Sequence, residues 1–132
     1  MKSQRFGIEI EMTGLTRRSA ALIIAKHFDT GFRHERGVYD TYSVCDQDGR
    51  KWKIVRDASI TPQCGNRFDY DPDYKVEVVS PICHYEDIET IQSIVRELRR
   101  NGHAKVNESC GIHIHVDASK HTARSLRNIA NI

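Results

Sequence analysis

Alternation of apolar residues with glycine or glutamate over residues 6–12 constrains the fold more than any other feature of the sequence. In a β-strand, successive side chains point to opposite faces. The face turned toward a core would carry Phe6, Ile8, Ile10 and Met12. Glu9 and Glu11 would lie side by side on the other face, about 6–7 Å apart. Two such carboxylates form either a solvated face or part of a cation site, and this strand alone leaves both open.

Two later segments carry ligand-type side chains in the same way. Residues 111–117 alternate again, with isoleucine and valine on one face and His113, His115 and Asp117 on the other. The short valine-rich strand at residues 75–79 contains Glu77, and a carboxylate is costly to bury unless it is paired or binds a cation. If these strands share one sheet, their polar faces converge. Carboxylates with one imidazole suit Mg²⁺ or Mn²⁺, although the spacing alone also fits a solvated face.

Composition and charge exclude several classes of protein. The chain has 132 residues, which predicts a single domain with a substantial core. Its net charge of +2 is too small to indicate nucleic acid or a membrane as the main partner. No apolar run predicts a signal peptide or a membrane-spanning helix. The four cysteines form no C-x-x-C pair, which argues against structural zinc and predicts reduced thiols in a cytoplasmic protein.

Local patterns predict the remaining elements. Thr16 is the expected N-cap of a helix over residues 17–28, and Asp48-Gly49 predicts a hairpin between strands at 39–45 and 51–56. Residues 31–37 and 63–73 are expected to be loops. A second helix is predicted over residues 85–100, with Gly102 at its C′ position. Its apolar stripe would be Ile88, Ile91, Val95 and Leu98. A last helix would begin near residue 122 and turn Leu126, Ile129 and Ala130 toward a core.

Four segments, in this order along the chain, together resemble the amidoligase family. They read FGIEIEMTGLTR at 6–17, WKIVRDASI at 52–60, VEVVSP at 76–81 and CGIHIHVD at 110–117. The family is related to glutamine synthetase and glutamate–cysteine ligase. The expected fold is therefore α+β, with a curved, mainly antiparallel sheet and helices packed on one face. The resemblance implies that residues 1–132 are the N-terminal part of a longer catalytic domain, and that this chain is incomplete as an enzyme.

The resemblance also implies a reaction and its partners. Members resemble ATP-dependent ligases that join a carboxylate to an amine through an acyl phosphate, so ATP and Mg²⁺ or Mn²⁺ are the expected cofactors. The expected substrates are a small-molecule or peptide carboxylate and an amine, and a homo-oligomer is left open. Two alternatives remain: a metal-dependent hydrolase that uses the same ligands to activate water, and a non-catalytic metal-binding or assembly module.

Site residues are carried over by position in the matched motifs. The implied metal ligands are Glu9, Glu11, Glu77 and His113. The implied substrate- or phosphate-binding residues are Arg17, Lys53, Asp57, Ser59 and His115. Outside the resemblance, Arg17 in the first turn of a helix has the simpler interpretation of a solvated cation.

Overall fold

A six-stranded antiparallel sheet dominates the computed structural model, which describes residues 3–119 and 121–130. The strands are β1 (Phe6–Met12), β2 (Phe32–Arg36), β3 (Thr41–Cys45), β4 (Lys51–Val55), β5 (Gln63–Cys64), β6 (Arg67–Phe68), β7 (Val76–Val79) and β8 (Ile112–Val116). The α-helices are α1 (Arg17–Phe28), α2 (Ile88–Gly102) and α3 (Ala123–Ala130), and short 3₁₀ turns span Pro72–Tyr74 and Tyr85–Asp87.

The order of the strands differs from their order in the chain. The large sheet runs β2-β3-β4-β7-β1-β8, and each neighbouring pair is antiparallel. The strand that opens the chain therefore lies between two strands from its second half. Strands β5 and β6 form a separate two-stranded hairpin. The α+β class with a mainly antiparallel sheet is thus confirmed.

One face of the sheet packs against α1 and α2. Trp52 and Ile54 of β4, and Val76 and Val78 of β7, are buried there with the small residues of α1. Helix α1 has the predicted bounds. The Thr16 side chain caps its start by accepting a hydrogen bond from the Ser19 N–H, and Asp29 ends it in a left-handed conformation with φ of 54°. The opposite face is called the polar face below. It carries the side chains that alternate with the buried ones.

The prediction of a loop at residues 31–37 was wrong, because Phe32–Arg36 forms the edge strand β2. Only Phe32 is apolar enough to pack, and its ring lies 6.0 Å from that of Tyr42. The other four residues are exposed. Backbone pairing with β3, which the side-chain pattern does not reveal, makes this segment a strand.

The buried stripe of α2 also differs from the predicted one. Ile91, Ile94 and Leu98 are buried, whereas Ile88 and Val95 are each 38% exposed. The two stripes lie on overlapping faces of one helix, and the packing of α2 against α1 selects the face centred on Ile94.

The end of α2 corrects the predicted role of Gly102. The left-handed residue that ends the helix is His103, with φ of 61°. Gly102 is still helical, and a Cβ placed there would lie 2.7 Å from Ile23 Cδ1 and 2.8 Å from Leu15 Cδ1. The glycine therefore permits close packing with neighbouring side chains rather than a special backbone conformation.

The apolar side of β8 is left uncovered by α1 and α2. Ile112, Ile114 and Val116 are 63%, 62% and 55% exposed. The predicted packing of Leu126, Ile129 and Ala130 falls on side chains outside the described ones. Within residues 3–119 and 121–130, no helix has the length and apolar character needed to cross a membrane.

Candidate metal centre

The register of the sheet places the predicted ligands in two adjacent rows of the polar face. In an antiparallel sheet, directly opposite residues point to the same side. One row crosses all six strands as Arg33, Ser43, Lys53, Val79, Glu9 and His113. The next row carries Val55, Glu77 and Glu11. The carboxylates that lie far apart in the sequence thus meet on β1 and β7.

Glu9 lies between the two histidines of β8. Its Oε2 is 3.5 Å from His113 Nδ1, and its Oε1 is 3.3 Å from His115 Nε2. Both imidazoles are mostly exposed, so they reach Glu9 from the solvent side. Gly7 lies opposite His115 in the register and contributes no side chain there. The imidazole of His113 is therefore held beside a carboxylate and is open to a ligand.

Glu11 is the most deeply buried acid of the cluster, at 5% exposed. The Gly111 N–H donates to its Oε2 at 2.6 Å, which fixes one oxygen. Burial raises the pKa of Glu11, and its hydrogen bond with Asp57 adds to that rise. Because Glu11 and Asp57 share a hydrogen bond, a state in which only one of these two carboxyls is ionised is favoured over a state in which both are.

Asp57 follows β4 and continues the alternation of that strand. Ser59 donates to Asp57 Oδ1 twice, from its hydroxyl at 2.7 Å and from its N–H at 2.8 Å. The hydrogen bonds from Ser59 lower the pKa of Asp57 below its ordinary value. Asp57 is therefore the ionised partner of Glu11, and Ser59 orients it.

Glu77 lies at the centre of the cluster. Burial raises its pKa from 4.5 to about 7, and the negative charges of Glu9, Asp57 and Glu11 act in the same direction. A carboxyl whose pKa is raised by burial and by neighbouring acids would ionise more readily beside a bound cation, and such groups are typical of functional sites.

Ligand atoms converge into two sets that share one residue. Glu9, Glu77 and His113 offer three atoms within 4.8 Å of one another, and so do Glu11, Asp57 and Glu77. A carboxylate has two oxygens, so Glu77 can contribute to both sets. Oxygen ligands with one imidazole fit Mg²⁺ or Mn²⁺. The two sets are therefore candidate ligands for one or two divalent cations.

Comparison with known proteins identifies the family. The family described as "Putative amidoligase enzyme" matches residues 2–132. The chain belongs to this amidoligase family. No curated protein and no solved structure matches it. The family therefore supports a ligase-type enzyme, and the structure supplies the arrangement of the residues.

Most of the site residues inferred from the amidoligase motifs lie on the polar face. The structure brings together the four inferred metal ligands, Glu9, Glu11, Glu77 and His113. His115 contacts Glu9, and Lys53 lies two strands from Glu9 in the same row. Asp57 and Ser59 were inferred to bind substrate or phosphate, but in the structure Asp57 joins the carboxylate cluster and Ser59 bonds to it.

Arg17, the remaining residue inferred from the amidoligase motifs, contacts none of this cluster. Its guanidinium is 2% exposed and donates to Asp40 Oδ2 at 2.6 Å and to Asp73 Oδ1 at 3.0 Å. It also donates to the carbonyls of Pro72 and Lys75. These contacts tie α1 to the β2–β3 turn and to the segment before β7.

We expect Arg17→Met to lower the free energy of unfolding by about 2–3 kcal/mol, because it leaves two carbonyls and a part-buried carboxylate without their donor. Urea denaturation measures this loss, with Arg18→Met as the matched control. Arg18 is the exposed neighbour, and its guanidinium lies 5.3 Å from the centre of the Phe32 ring, so its loss should cost less than about 1 kcal/mol. Mn²⁺ affinity should be equal in both folded variants. Loss of Mn²⁺ or nucleotide affinity without loss of stability would restore a ligand-binding role for Arg17.

The involvement of Asp57 in the cluster was missed at the level of sequence, although a signal existed. Lys53, Val55 and Asp57 share one parity along β4, so Asp57 follows the polar face if the strand direction continues two residues past its end. The Gly111 N–H that holds Glu11 has no comparable sequence signal, because it depends on the pairing of β1 with the segment before β8.

Proposed function

We propose that the protein is an ATP-dependent carboxylate–amine ligase whose polar face binds the divalent cations and phosphates. One observation carries the proposal: two three-ligand sets that share Glu77 lie on the polar face of a chain of the amidoligase family. In the proposed reaction, a substrate carboxylate attacks the γ-phosphate of ATP, ADP leaves, and an acyl phosphate forms. An amine then attacks the acyl carbon, and inorganic phosphate leaves as the amide forms.

The residues of the chain would bind and orient rather than react. Glu9, Glu11, Asp57, Glu77 and His113 would hold Mg²⁺ or Mn²⁺, and bound cations neutralise charge on transferring phosphoryl groups. Ser59 and the Gly111 N–H keep two of the carboxylates in place. No side-chain nucleophile is required, because the two substrates supply both the attacking and the accepting groups.

Metal binding is the first test of this function. Isothermal titration with Mn²⁺ should show saturable binding by the wild-type chain, and Glu9→Gln with Glu77→Gln should remove it. Glu108→Gln is the control, since Glu108 is an exposed acid outside the cluster. Equal binding by the double variant and the wild type would remove the metal centre from the proposal.

Trapping the acyl phosphate tests the reaction itself. The chain is incubated with ATP, Mg²⁺ and a panel of carboxylic acids, with hydroxylamine as a general amine. We expect phosphate release that depends on both acid and hydroxylamine, with a matching amount of hydroxamate, and loss of both products in Glu77→Gln. Cleavage of amides without ATP would instead assign a metal-dependent hydrolase. Mn²⁺ binding with no turnover of any kind would favour a metal-binding module over this ligase.

A further inference from the structure

On the polar face, the acidic and the basic side chains lie on different strands. The acids of the metal cluster lie on β1 and β7 and just past β4, whereas Arg33, Lys51 and Lys53 lie on β2 and β4. Lys51 is already used, because its Nζ lies 3.1 Å from Glu35 Oε1. The hydrogen bond from Lys51, together with Ser43 and the nearby charge of Arg33, lowers the pKa of Glu35. Glu35 is therefore ionised and offsets the positive charge of Lys51.

Lys53 has no such partner. Its ammonium group makes no hydrogen bond or ion pair with any residue of the described ranges, and it is exposed on a strand fixed on both sides by β3 and β7. Arg33 makes no ion pair within 4.0 Å in the same ranges. By contrast, Arg5, Arg17 and Arg50 are all paired with carboxylates. Lys53 and Arg33 lie in one cross-strand row with Ser43 between them, and Arg33 acts on Glu35 only from beyond ion-pair distance.

Val79 separates this row of cations from the metal ligands. The row continues from Lys53 through Val79 to Glu9, so Lys53 and Glu9 are two interstrand spacings apart, about 10 Å between backbones. A polyphosphate bound at the acids would place charge against the valine side chain, which offers it no hydrogen bond. Across this row, the candidate cation site is followed by the apolar Val79 and then by the basic side chains. A molecule with an anionic group at each end and a carbon chain between them would complement that order.

We propose that Lys53 and Arg33 bind a second anionic group of the acid substrate, which is therefore a dicarboxylic acid or a peptide acid with a similarly placed second carboxylate. The proposal rests on the proposed ligase function for the identity of the reacting carboxylate at the cation sites. Lys53 and Arg33 act as specificity-determining residues. They fix the far end of the acid while its near carboxylate lies at the metal cluster.

Binding of simple acids in the presence of Mn²⁺ tests the subsite directly. The probes are glutarate and adipate, compared with valerate and hexanoate, which have the same numbers of carbons but one carboxylate. We expect the dicarboxylates to bind about tenfold more tightly. Lys53→Met and Arg33→Met should each weaken dicarboxylate binding about threefold to tenfold and leave monocarboxylate binding unchanged. Lys53→Arg should retain the preference.

Two controls keep the result specific. Lys26→Met removes an exposed lysine from the last turn of α1 and should change no affinity, which excludes a general effect of net charge. A non-hydrolysable ATP analogue should bind the wild type and Lys53→Met equally. If Lys53→Met weakens the analogue instead of the dicarboxylate, the lysine belongs to a phosphate site and the proposal is overturned. Equal affinity for dicarboxylates and monocarboxylates also overturns it.

Failure of the subsite and failure of the ligase function give different results. If Mn²⁺ and the ATP analogue bind but dicarboxylates show no preference, the function stands and the subsite falls. If neither Mn²⁺ nor the analogue binds but glutarate still binds through Lys53, the subsite stands without the ligase. Thermal unfolding curves that match the wild type are required of each variant, and Lys53→Gln replaces Lys53→Met if the latter fails to fold.

Discussion

At about pH 8, Glu77→Gln is expected to stabilise the metal-free protein by about 1–3 kcal/mol and to abolish its binding of Mn²⁺. Glu77 has its pKa raised from 4.5 to about 7, first by burial and then by the neighbouring acids. Above pH 7 the folded protein must hold a buried charge beside other negative charges. Glutamine keeps the shape and removes that charge, but it also removes the ligand shared by both cation sets.

The direction of the pH dependence follows from the raised pKa of Glu77. Between about pH 4.5 and 7 the folded state holds a proton that the unfolded state has released. The stability of the wild type therefore falls over this interval as pH rises, while that of Glu77→Gln lacks this decrease. Urea denaturation at about pH 5 and pH 8, with chelator present, measures the difference. Equal stability of the two proteins at pH 8 would show that Glu77 does not bear the burial cost.

Bound cations should counteract the loss of wild-type stability at high pH. Binding of Mn²⁺ below pH 7 requires Glu77 to lose its proton, so Mn²⁺ affinity should rise through pH 7, and titrations in buffers of different ionisation enthalpy should detect the released proton. Glu9→Gln is the informative comparison. It should weaken Mn²⁺ binding but change stability less than Glu77→Gln does, because the side-chain partners of Glu9 are the mostly exposed His113 and His115.

Asp46→Ala is expected to lower the free energy of unfolding by about 2–4 kcal/mol. The Asp46 carboxylate is buried at the start of the β3–β4 hairpin. Its Oδ1 accepts from the backbone N–H groups of Asp48 and Arg50, and its Oδ2 accepts from Trp52 Nε1 at 3.1 Å and from Arg50 Nε at 3.0 Å. Alanine would leave the buried indole N–H of Trp52 without an acceptor.

The same substitution would loosen a longer connection. Arg50 donates in a bidentate pair to Asp87, which joins the hairpin to the start of α2. Asp48→Ala is the matched control, because Asp48 lies in the same turn, is 81% exposed and approaches Arg50 only at 3.9 Å. It should cost less than about 0.5 kcal/mol. Asp46→Asn should give an intermediate loss, since it keeps one accepting oxygen but sets an NH₂ group against the indole N–H.

Periodicity predicted the elements that contact the core or the cluster. The strict alternation of β1 and β8 and the helical stripe of α1 each separate apolar from polar side chains, so the residue types alone predict two distinct faces for each element. In the structure, the apolar face of β8 is nevertheless exposed. The E-x-E and H-x-H patterns therefore placed the right side chains on the polar face. The meeting of these side chains around Glu77 could not be predicted in the same way. It depends on the strand order, which is set by long-range packing and not by any local stretch of sequence.

Elements held by backbone contacts could not be predicted in this way. Strand β2 has only Phe32 as an apolar residue, so nothing in its side chains distinguishes it from a loop. Arg17 was inferred from its motif to bind substrate or phosphate, and in the structure its guanidinium pairs with Asp40 and Asp73 of the same chain. The sequence pattern also failed to distinguish a glycine needed for close packing with Leu15 and Ile23, Gly102, from the left-handed residue, His103.

The position of β1 between β7 and β8 has a consequence for folding. Strand β1 is synthesised long before its two partner strands, at Val76–Val79 and Ile112–Val116. Such high contact order slows folding, because long loops must close before the pairing is rewarded. The hairpin of β3 and β4 needs only local contacts, whereas the carboxylates of β1 and the histidines of β8 meet only when strands far apart in the chain have paired. Under the proposed function, cation affinity would therefore report completion of the sheet, and a chain arrested before β8 would contain both glutamates of β1 without the imidazole of His113.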